Sequence, residues 1–236
     1  MKKALFFIDD VVWVFRDLTR QKSDSLFDNP FLKVLKNAYD RYGVKTQLNI
    51  FYQTDFFYGN DLFTLSDMTD AYKSEWEECS DWLKFGFHAK HEFPDYPYIN
   101  ASYEHVKENY EAVKNEVIRF AGINSMSIST TPHWRPISKD ACKAMYDCGL
   151  RLVSATYGEK IPYDGNAPTL NVITKEEIEP AYSKVADKEF VCYGLHEQYF
   201  NEDYYAYQSD YAEKVYLSGE ILSNNNYGFI FGGDLI

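Results

Sequence analysis

The chain alternates apolar strand patterns with helical patterns seven or eight times along its 236 residues. The predicted strands cover 4–8, 45–52, 83–87, 125–130, 150–155, 170–173, 190–195 and 229–231, and the predicted helices cover 30–42, 66–82, 102–121, 138–147, 175–186 and 209–223. Continuous apolar strands are typical of parallel sheets that are covered on both faces. The order predicts one α/β domain over 1–236, a (β/α) barrel. An open dinucleotide-binding sheet is a poorer match because no glycine-rich phosphate loop follows the first strand.

The overall charge limits the partners of this chain. The formal net charge is -12, and nucleic acid or anionic membrane would require a surplus of Lys and Arg. No apolar stretch is long enough to span a bilayer, and Asp9 and Asp10 interrupt the short apolar run that follows the N-terminal lysines. We therefore expect a cytoplasmic protein with no nucleic acid and no membrane partner. The sequence leaves its oligomeric state open.

Polar residues gather where predicted strands end, which is the edge that carries the sites of parallel α/β folds. Asp9 and Asp10 end the first strand, and His88, His91 and Glu92 follow the third. Adjacent carboxylates on a strand point to opposite faces, so one can reach a metal while the other acts as a base or has a structural role. Asp10, His88 and His91 would form a facial metal site that leaves positions open for water and substrate. Glu92 is an alternative third ligand.

Two further strand ends carry candidate residues. His133 and Arg135 follow the fourth strand, where His133 can line the site or bind a metal and Arg135 can hold a catalytic carboxylate. Arg135 could equally form a surface salt bridge. His196 ends a late strand and could act as a general acid, with Glu197 placed to orient it.

With these residues placed, the chain resembles the polysaccharide deacetylases, the NodB-like superfamily that includes the family 4 carbohydrate esterases. FFIDDVV at 6–12 resembles the first motif of the family, and HWRPIS at 133–138 resembles the third without its Arg-x-Pro spacing. Leu195 and His196 match the Leu-His of the last motif. The resemblance implies the distorted seven-stranded barrel of that family.

The second motif departs from the family pattern. His88 matches its first histidine, but His91 comes one residue before the expected second histidine, and Glu92 occupies the expected place. The Asp-and-Trp fourth motif has no counterpart, and Asp164 is a poor substitute for it. These departures indicate a divergent branch.

The resemblance implies a metal-dependent hydrolase that removes an acetyl or related acyl group from a carbohydrate or another acylated small molecule. Asp9 would be the catalytic base, Arg135 would hold it, and His196 would be the general acid. The implied cofactor is one divalent ion, with Zn²⁺ favoured over Co²⁺, Ni²⁺ and Mn²⁺. Two alternatives stay open: a catalytically decayed carbohydrate-binding barrel, and a glycoside hydrolase in which Glu197 and Asp9 or Asp10 serve as acid and nucleophile.

Overall fold

The computed structural model of the chain describes residues 1–55, 62–157, 169–202 and 206–235. Its strands are β1 (Lys2–Val11), β2 (Thr46–Phe51), β3 (Leu83–Ala89), β4 (Ser129–Thr130), β5 (Pro136–Ile137), β6 (Leu152–Val153), β7 (Thr156–Tyr157), β8 (Phe190–His196) and β9 (Tyr227–Phe229). The long strands form a parallel sheet in the order β3-β2-β1-β8, and β9 pairs with the first residues of β1. The predicted α/β class is therefore confirmed.

Two separate two-stranded ladders and single bridges accompany this sheet. Beyond β3, Phe85 bridges to Met126, β4 pairs with β6, and β5 pairs with β7, all in parallel. Beyond β8, Thr169 bridges to Gly194. Among the described residues no ladder joins β6 or β7 to Thr169. The predicted loop at 158–168, with Asp164, lies outside the described residues.

The helices cover the outside of the sheet. They are α1 (Trp13–Gln21), α2 (Pro30–Tyr42), α3 (Lys73–Glu78), α4 (Tyr103–Ala121), α5 (Lys139–Asp147), α6 (Lys175–Ser183) and α7 (Tyr211–Asn224). The best-predicted one is α2, in which the Asn29 side chain accepts hydrogen bonds from the amides of Phe31 and Leu32. It ends at Gly43, whose φ of 71° is left-handed. Within the described residues, no helix combines the length and the apolar character needed to cross a membrane.

Several elements differ from the sequence prediction. The predicted strands at 125–130 and 150–155 shorten to β4 and β6, and β5 and β7 were not predicted. The predicted helix at 66–82 is a 3₁₀ turn at Leu65–Asp67 followed by the short α3, because Thr64 and Asp67 cap the turn as a separate unit. The predicted strand at 170–173 is a 3₁₀ turn at Leu170–Val172, which leaves Thr169 alone to bridge to β8. Helix α1 was not predicted.

The sheet brings its polar residues to one edge. The interior of β1 is apolar and fully buried at Ala4, Phe6 and Ile8, whereas its carboxyl end carries Asp9 and Asp10. In the parallel register with β8, Asp9 lies opposite His196. Because the carboxyl ends of parallel strands share an edge, β1, β2, β3 and β8 deliver their last side chains to the same place.

Candidate active site

A cavity of about 710 Å³ opens at the carboxyl edge of the sheet. The predicted residues that line it are Asp9, Asp10, His88, Glu92, His133, Arg135 and His196. A cavity of this size with convergent polar groups is the usual form of a small-molecule site. The structure therefore gathers most of the predicted residues around one space.

A distortion of β1 explains how two neighbouring aspartates reach this cavity together. The register of β1 against β2 shifts between Ile8 and Val11, and Asp10 has a left-handed φ of 60°. A bulge re-aims a side chain that would otherwise alternate to the opposite face. The expectation that the two carboxylates face opposite ways therefore does not hold at this strand end, where both line the cavity.

Asp10, His88 and His133 form a tight group of buried metal-binding atoms. Asp10 Oδ1 lies 3.0 Å from His88 Nε2 and 3.4 Å from His133 Nδ1, and the two ring nitrogens are 3.1 Å apart. An ion with bonds of about 2.0 to 2.2 Å holds adjacent ligands about 2.8 to 3.6 Å apart. These separations fit one small divalent ion.

Backbone contacts fix the tautomers of both histidines. His88 Nδ1 donates to the carbonyl oxygen of Thr131 at 2.5 Å, and His133 Nε2 donates to the carbonyl oxygen of Glu92 at 2.9 Å. Each ring therefore turns its other nitrogen, with a lone pair, towards Asp10 Oδ1. Such outer hydrogen bonds are how proteins orient histidine ligands. Without a cation or a proton between them, these three lone pairs would repel one another.

The charges of the site favour a cation at the same position. Burial opposes a charge on His88, but the carboxylates of Asp9 and Asp10 outweigh it and raise the pKa of His88 to about 9. Burial likewise opposes the charge of Asp10, yet His196, His133 and His88 hold its pKa well below the usual range. Burial lowers the pKa of His133 and raises that of Asp9. A proton on His88 thus takes the place that a metal ion would fill.

The structure brings His133, not the predicted His91, to Asp10 and His88. Among the described residues, His91 is outside the metal-binding group, and its Nδ1 lies 3.5 Å from Asp55 Oδ2. The reason is the loop after β4: the amide of His133 donates to the carbonyl oxygen of His88 at 3.1 Å, which holds the loop against the end of β3.

Glu92 stands behind His133. Its carbonyl oxygen accepts the His133 ring proton, and its carboxylate Oε1 lies 3.9 Å from His133 Nε2. Burial, together with the nearby charge of Asp10, raises the pKa of the Glu92 carboxyl to about 8. Glu92 therefore supports a histidine of the group from outside it.

Asp9 is held by a residue that the sequence did not indicate. Asn49, within β2, donates from Nδ2 to Asp9 Oδ1 at 2.7 Å. Arg135, the predicted partner, lines the cavity and donates from Nη2 to Ser154 Oγ at 3.0 Å. The only sequence signal for Asn49 was a polar residue inside an otherwise buried strand.

His196 lies on the side of the cavity formed by β8. Its Nε2 is 3.7 Å from Asp10 Oδ2, and 29% of the side chain is exposed. Its Nδ1 is buried and has no hydrogen-bond partner among the described residues. The ring can therefore meet a ligand that enters the cavity.

Glu197 does not orient His196. Its carboxylate accepts hydrogen bonds from the amides of Val12 and Trp13 on Oε2, at 2.7 and 2.9 Å, and from Val14 on Oε1 at 2.7 Å. The first amides of a helix have no partner within the helix, so a carboxylate there is stabilising. Glu197 caps α1 from the far end of the chain.

Aromatic side chains form part of the cavity wall. Trp134 is 47% exposed, and its ring lies 5.0 Å from the ring of Tyr96. Tyr96, Trp134 and Arg135 all have left-handed φ values, between 55° and 72°. Non-glycine residues in that conformation cluster at ligand sites because the surrounding structure must hold them there.

No protein-family model matches the chain, and no curated protein matches it in sequence. Solved structures do match it. A family 4 acetyl xylan esterase from Clostridium thermocellum, in complex with a cobalt ion, has a TM-score of 0.61 at 14% identity over 99% of this chain and 90% of that chain. A family 4 carbohydrate esterase pseudoenzyme from Bacillus anthracis has a TM-score of 0.60 at 10% identity over 97% of this chain and 63% of that chain. PdaA from Bacillus subtilis, a family 4 carbohydrate esterase, has a TM-score of 0.55 at 14% identity over 98% of this chain and 79% of that chain. The chain therefore has the fold of the family 4 carbohydrate esterases, as the resemblance of its motifs predicted.

Proposed function

We propose that this protein is a metal-dependent hydrolase that removes an acetyl or related acyl group from a carbohydrate-like substrate. The observation that carries the proposal is the triangle of Asp10 Oδ1, His88 Nε2 and His133 Nδ1, with sides of 3.0 to 3.4 Å. These three buried atoms converge on one point, which a bound cation would occupy in place of the proton on His88. Two imidazoles and one carboxylate also leave coordination positions open for water and substrate, as in catalytic sites.

Zn²⁺ suits this donor set best, because imidazole and carboxylate are its usual catalytic ligands, and Co²⁺, Ni²⁺ and Mn²⁺ are the alternatives. When bound, such an ion polarises an acyl carbonyl group and lowers the pKa of water towards about 7. Asp10, His88 and His133 would hold it. Glu92 and Thr131 would support the two histidines through their carbonyl oxygens.

Asp9 and His196 are suited to move the two protons of the hydrolysis. Asp9 would take a proton from the attacking water, and Asn49 holds its Oδ1 in place. His196, across the β1–β8 pairing, would give a proton to the leaving nitrogen or oxygen as its bond to the acyl carbon breaks. Arg135 would face the substrate as the positive charge of the cavity wall.

The cavity suits the ring of a sugar. Tyr96 and Trp134 offer ring faces beside the catalytic group, and aromatic faces pack well against the apolar faces of pyranose rings. The net charge of -12 favours neutral or cationic substrates over phosphorylated ones.

The test is acetate release from acetylated mono- and oligosaccharides, with chelated protein, with Zn²⁺-loaded protein and with a Zn²⁺-loaded Asp9→Asn variant. We expect turnover only with metal, and its loss in Asp9→Asn although that variant still binds one ion. Cleavage of glycosidic bonds in the presence of EDTA would instead indicate a carboxylate-based glycoside hydrolase. Metal and sugar binding without turnover of any acylated sugar would indicate a decayed binding barrel, a case made concrete by the pseudoenzyme of the same fold.

A further inference from the structure

Four buried polar side chains form a hydrogen-bonded chain inside the barrel, below Asp9. They are Gln47 and Asn49 of β2, Ser127, and Ser129 of β4, and none is more than 4% exposed. Barrel interiors of this kind are ordinarily filled by branched apolar residues. Buried polar networks rarely stabilise a fold more than apolar packing would, but a network whose members are all hydrogen-bonded holds its side chains in one orientation.

Each side chain of this hydrogen-bonded series donates towards the next one, from the two serines to Asp9. Ser127 Oγ and Ser129 Oγ each lie 2.7 Å from Gln47 Oε1 and donate to it. Gln47 Nε2 lies 3.2 Å from the carbonyl oxygen of Ser129, which can only accept. The amide of Gln47 is thereby fixed, with its nitrogen turned towards Asn49.

The same logic fixes Asn49. Gln47 Nε2 donates to Asn49 Oδ1 at 2.8 Å, so the nitrogen of the Asn49 amide must face the other way. There, Nδ2 donates to Asp9 Oδ1 at 2.7 Å. Because the two ends of an amide have nearly the same shape, only such a fixed set of partners decides which end meets the carboxylate.

A glycine in the neighbouring strand makes room for the chain. A Cβ atom at Gly86, in the middle of β3, would lie 2.2 Å from Asn49 Oδ1 and 2.7 Å from Gln47 Nε2. A glycine inside a strand otherwise weakens it and often marks such a close approach. Gly86 is thus a second, independent sign that the position of these amides matters.

We infer that Asn49 is a positioning residue for Asp9, and that Gln47, Ser127 and Ser129 keep its amide turned the right way. This inference rests on the proposed function, in which Asp9 is the base. A carboxylate that accepts one fixed hydrogen bond keeps its remaining lone pairs aimed at the cavity. Loss of that bond would leave Asp9 in place but poorly aligned with the water it serves.

The first test compares Zn²⁺-loaded Asn49→Leu with Asn109→Leu. The control removes another buried amide, on α4, which contacts Tyr98 and His105 and is not part of the chain of hydrogen bonds to Asp9. For Asn49→Leu we expect a fall in kcat of about 10- to 100-fold, with KM and metal stoichiometry unchanged. Asn109→Leu should lower thermal stability but leave kcat and KM as they are. An unchanged kcat in folded Asn49→Leu would overturn the inference.

A second variant serves if Asn49→Leu does not fold. Gln47→Met keeps the approximate shape of the side chain and makes no contact with Asp9. It removes the hydrogen bond to Asn49 Oδ1, so the Asn49 amide can flip. We expect a smaller loss of kcat, about two- to tenfold, again without a change in KM or metal content. An unchanged kcat in this variant would show that Gln47 does not control the orientation of the Asn49 amide.

Failure of the proposed function is distinguishable from failure of this inference. If the wild type turns over no acylated sugar, the side-chain amide of Asn49 can still be followed by NMR. Its two protons should exchange slowly with solvent, and their resonances should shift in Asp9→Ala and broaden in Gln47→Met. Resonances indifferent to both substitutions would refute the positioning role whatever the reaction.

Discussion

Replacing Glu197 by Gln tests whether the carboxylate of Glu197 has a structural or a catalytic role. Glu197 is buried, and it accepts the amides of Val12, Trp13 and Val14 at the start of α1. The single oxygen of a glutamine can accept from Val12 and Trp13, but its NH₂ group then faces the amide of Val14. A buried donor left without an acceptor costs about 1 to 3 kcal/mol.

The size of the effect should depend on pH. Burial raises the pKa of Glu197 to about 7, while the three amides oppose that rise. The unfolded chain has the ordinary value of 4.5. Since the folded pKa is the higher one, this group's contribution to stability is complete below pH 4.5 and is lost as the pH rises through 7.

Between pH 5.5 and pH 8 the loss is about 2 kcal/mol, at about 1.4 kcal/mol for each unit of the pKa difference. Glutamine does not titrate and has no such dependence. We therefore expect Glu197→Gln to be about 2 kcal/mol less stable than the wild type at pH 5.5 and about equally stable at pH 8.

Urea unfolding at four pH values between 5.5 and 8 measures this difference by linear extrapolation. The matched control is Glu213→Gln on α7, whose carboxylate is 60% exposed beside Lys175, and it should change stability by less than about 0.5 kcal/mol. A stability penalty for Glu197→Gln that stays constant or grows with pH would show that the folded pKa of Glu197 is not raised. It would mean that the hydrogen bonds from the three amides outweigh burial in setting the pKa of Glu197. Loss of deacetylation in the folded variant would contradict its structural role.

Two further predictions concern the cavity. Trp134→Ala should raise KM for an acetylated sugar about tenfold and leave kcat unchanged, because ring stacking stabilises the ground and transition states equally. Steady-state kinetics on the Zn²⁺-loaded variant measures both constants, and a fall in kcat alone would contradict this role of Trp134. Metal binding would displace the proton of His88, whose pKa is about 9, so the apparent affinity for Zn²⁺ should rise about tenfold per pH unit between pH 6 and pH 8. Competition with a chelator measures this affinity, and an affinity independent of pH would show that His88 is not a ligand.

Local patterns were sufficient for part of this structure. Helix α2 was predictable because its cap, its first-turn proline and its terminal glycine lie within the segment itself. The strands that carry Asp9, His88 and His196 near their carboxyl ends were predictable because their apolar runs are continuous. Chemistry at strand ends follows from parallel topology, and the fold follows from the same order of elements.

The remainder depends on contacts between distant residues. Helix α1 is capped by Glu197, about 185 residues away, so no local signal marks its start. His133 reaches the metal-binding group because a loop 45 residues beyond His88 is tied to the end of β3. The orientation of Asp10 depends on a bulge, and the role of Asn49 depends on its neighbours inside the barrel. Spacing along the chain favoured His91, whereas spacing in three dimensions favours His133.

In the proposed function, Asp10, His88 and His133 hold one divalent ion. The most direct measurement is metal content by plasma mass spectrometry after loading with Zn²⁺ and gel filtration, on protein purified without a metal-affinity tag. Three proteins are compared: the wild type, His133→Ala and His91→Ala. His91→Ala is the control, because it also removes one imidazole near the site. We predict about one ion per chain in the wild type and in His91→Ala, and none retained in His133→Ala. A metal-free wild type, or an ion that is lost in His91→Ala and kept in His133→Ala, would show that Asp10, His88 and His133 do not form the metal site.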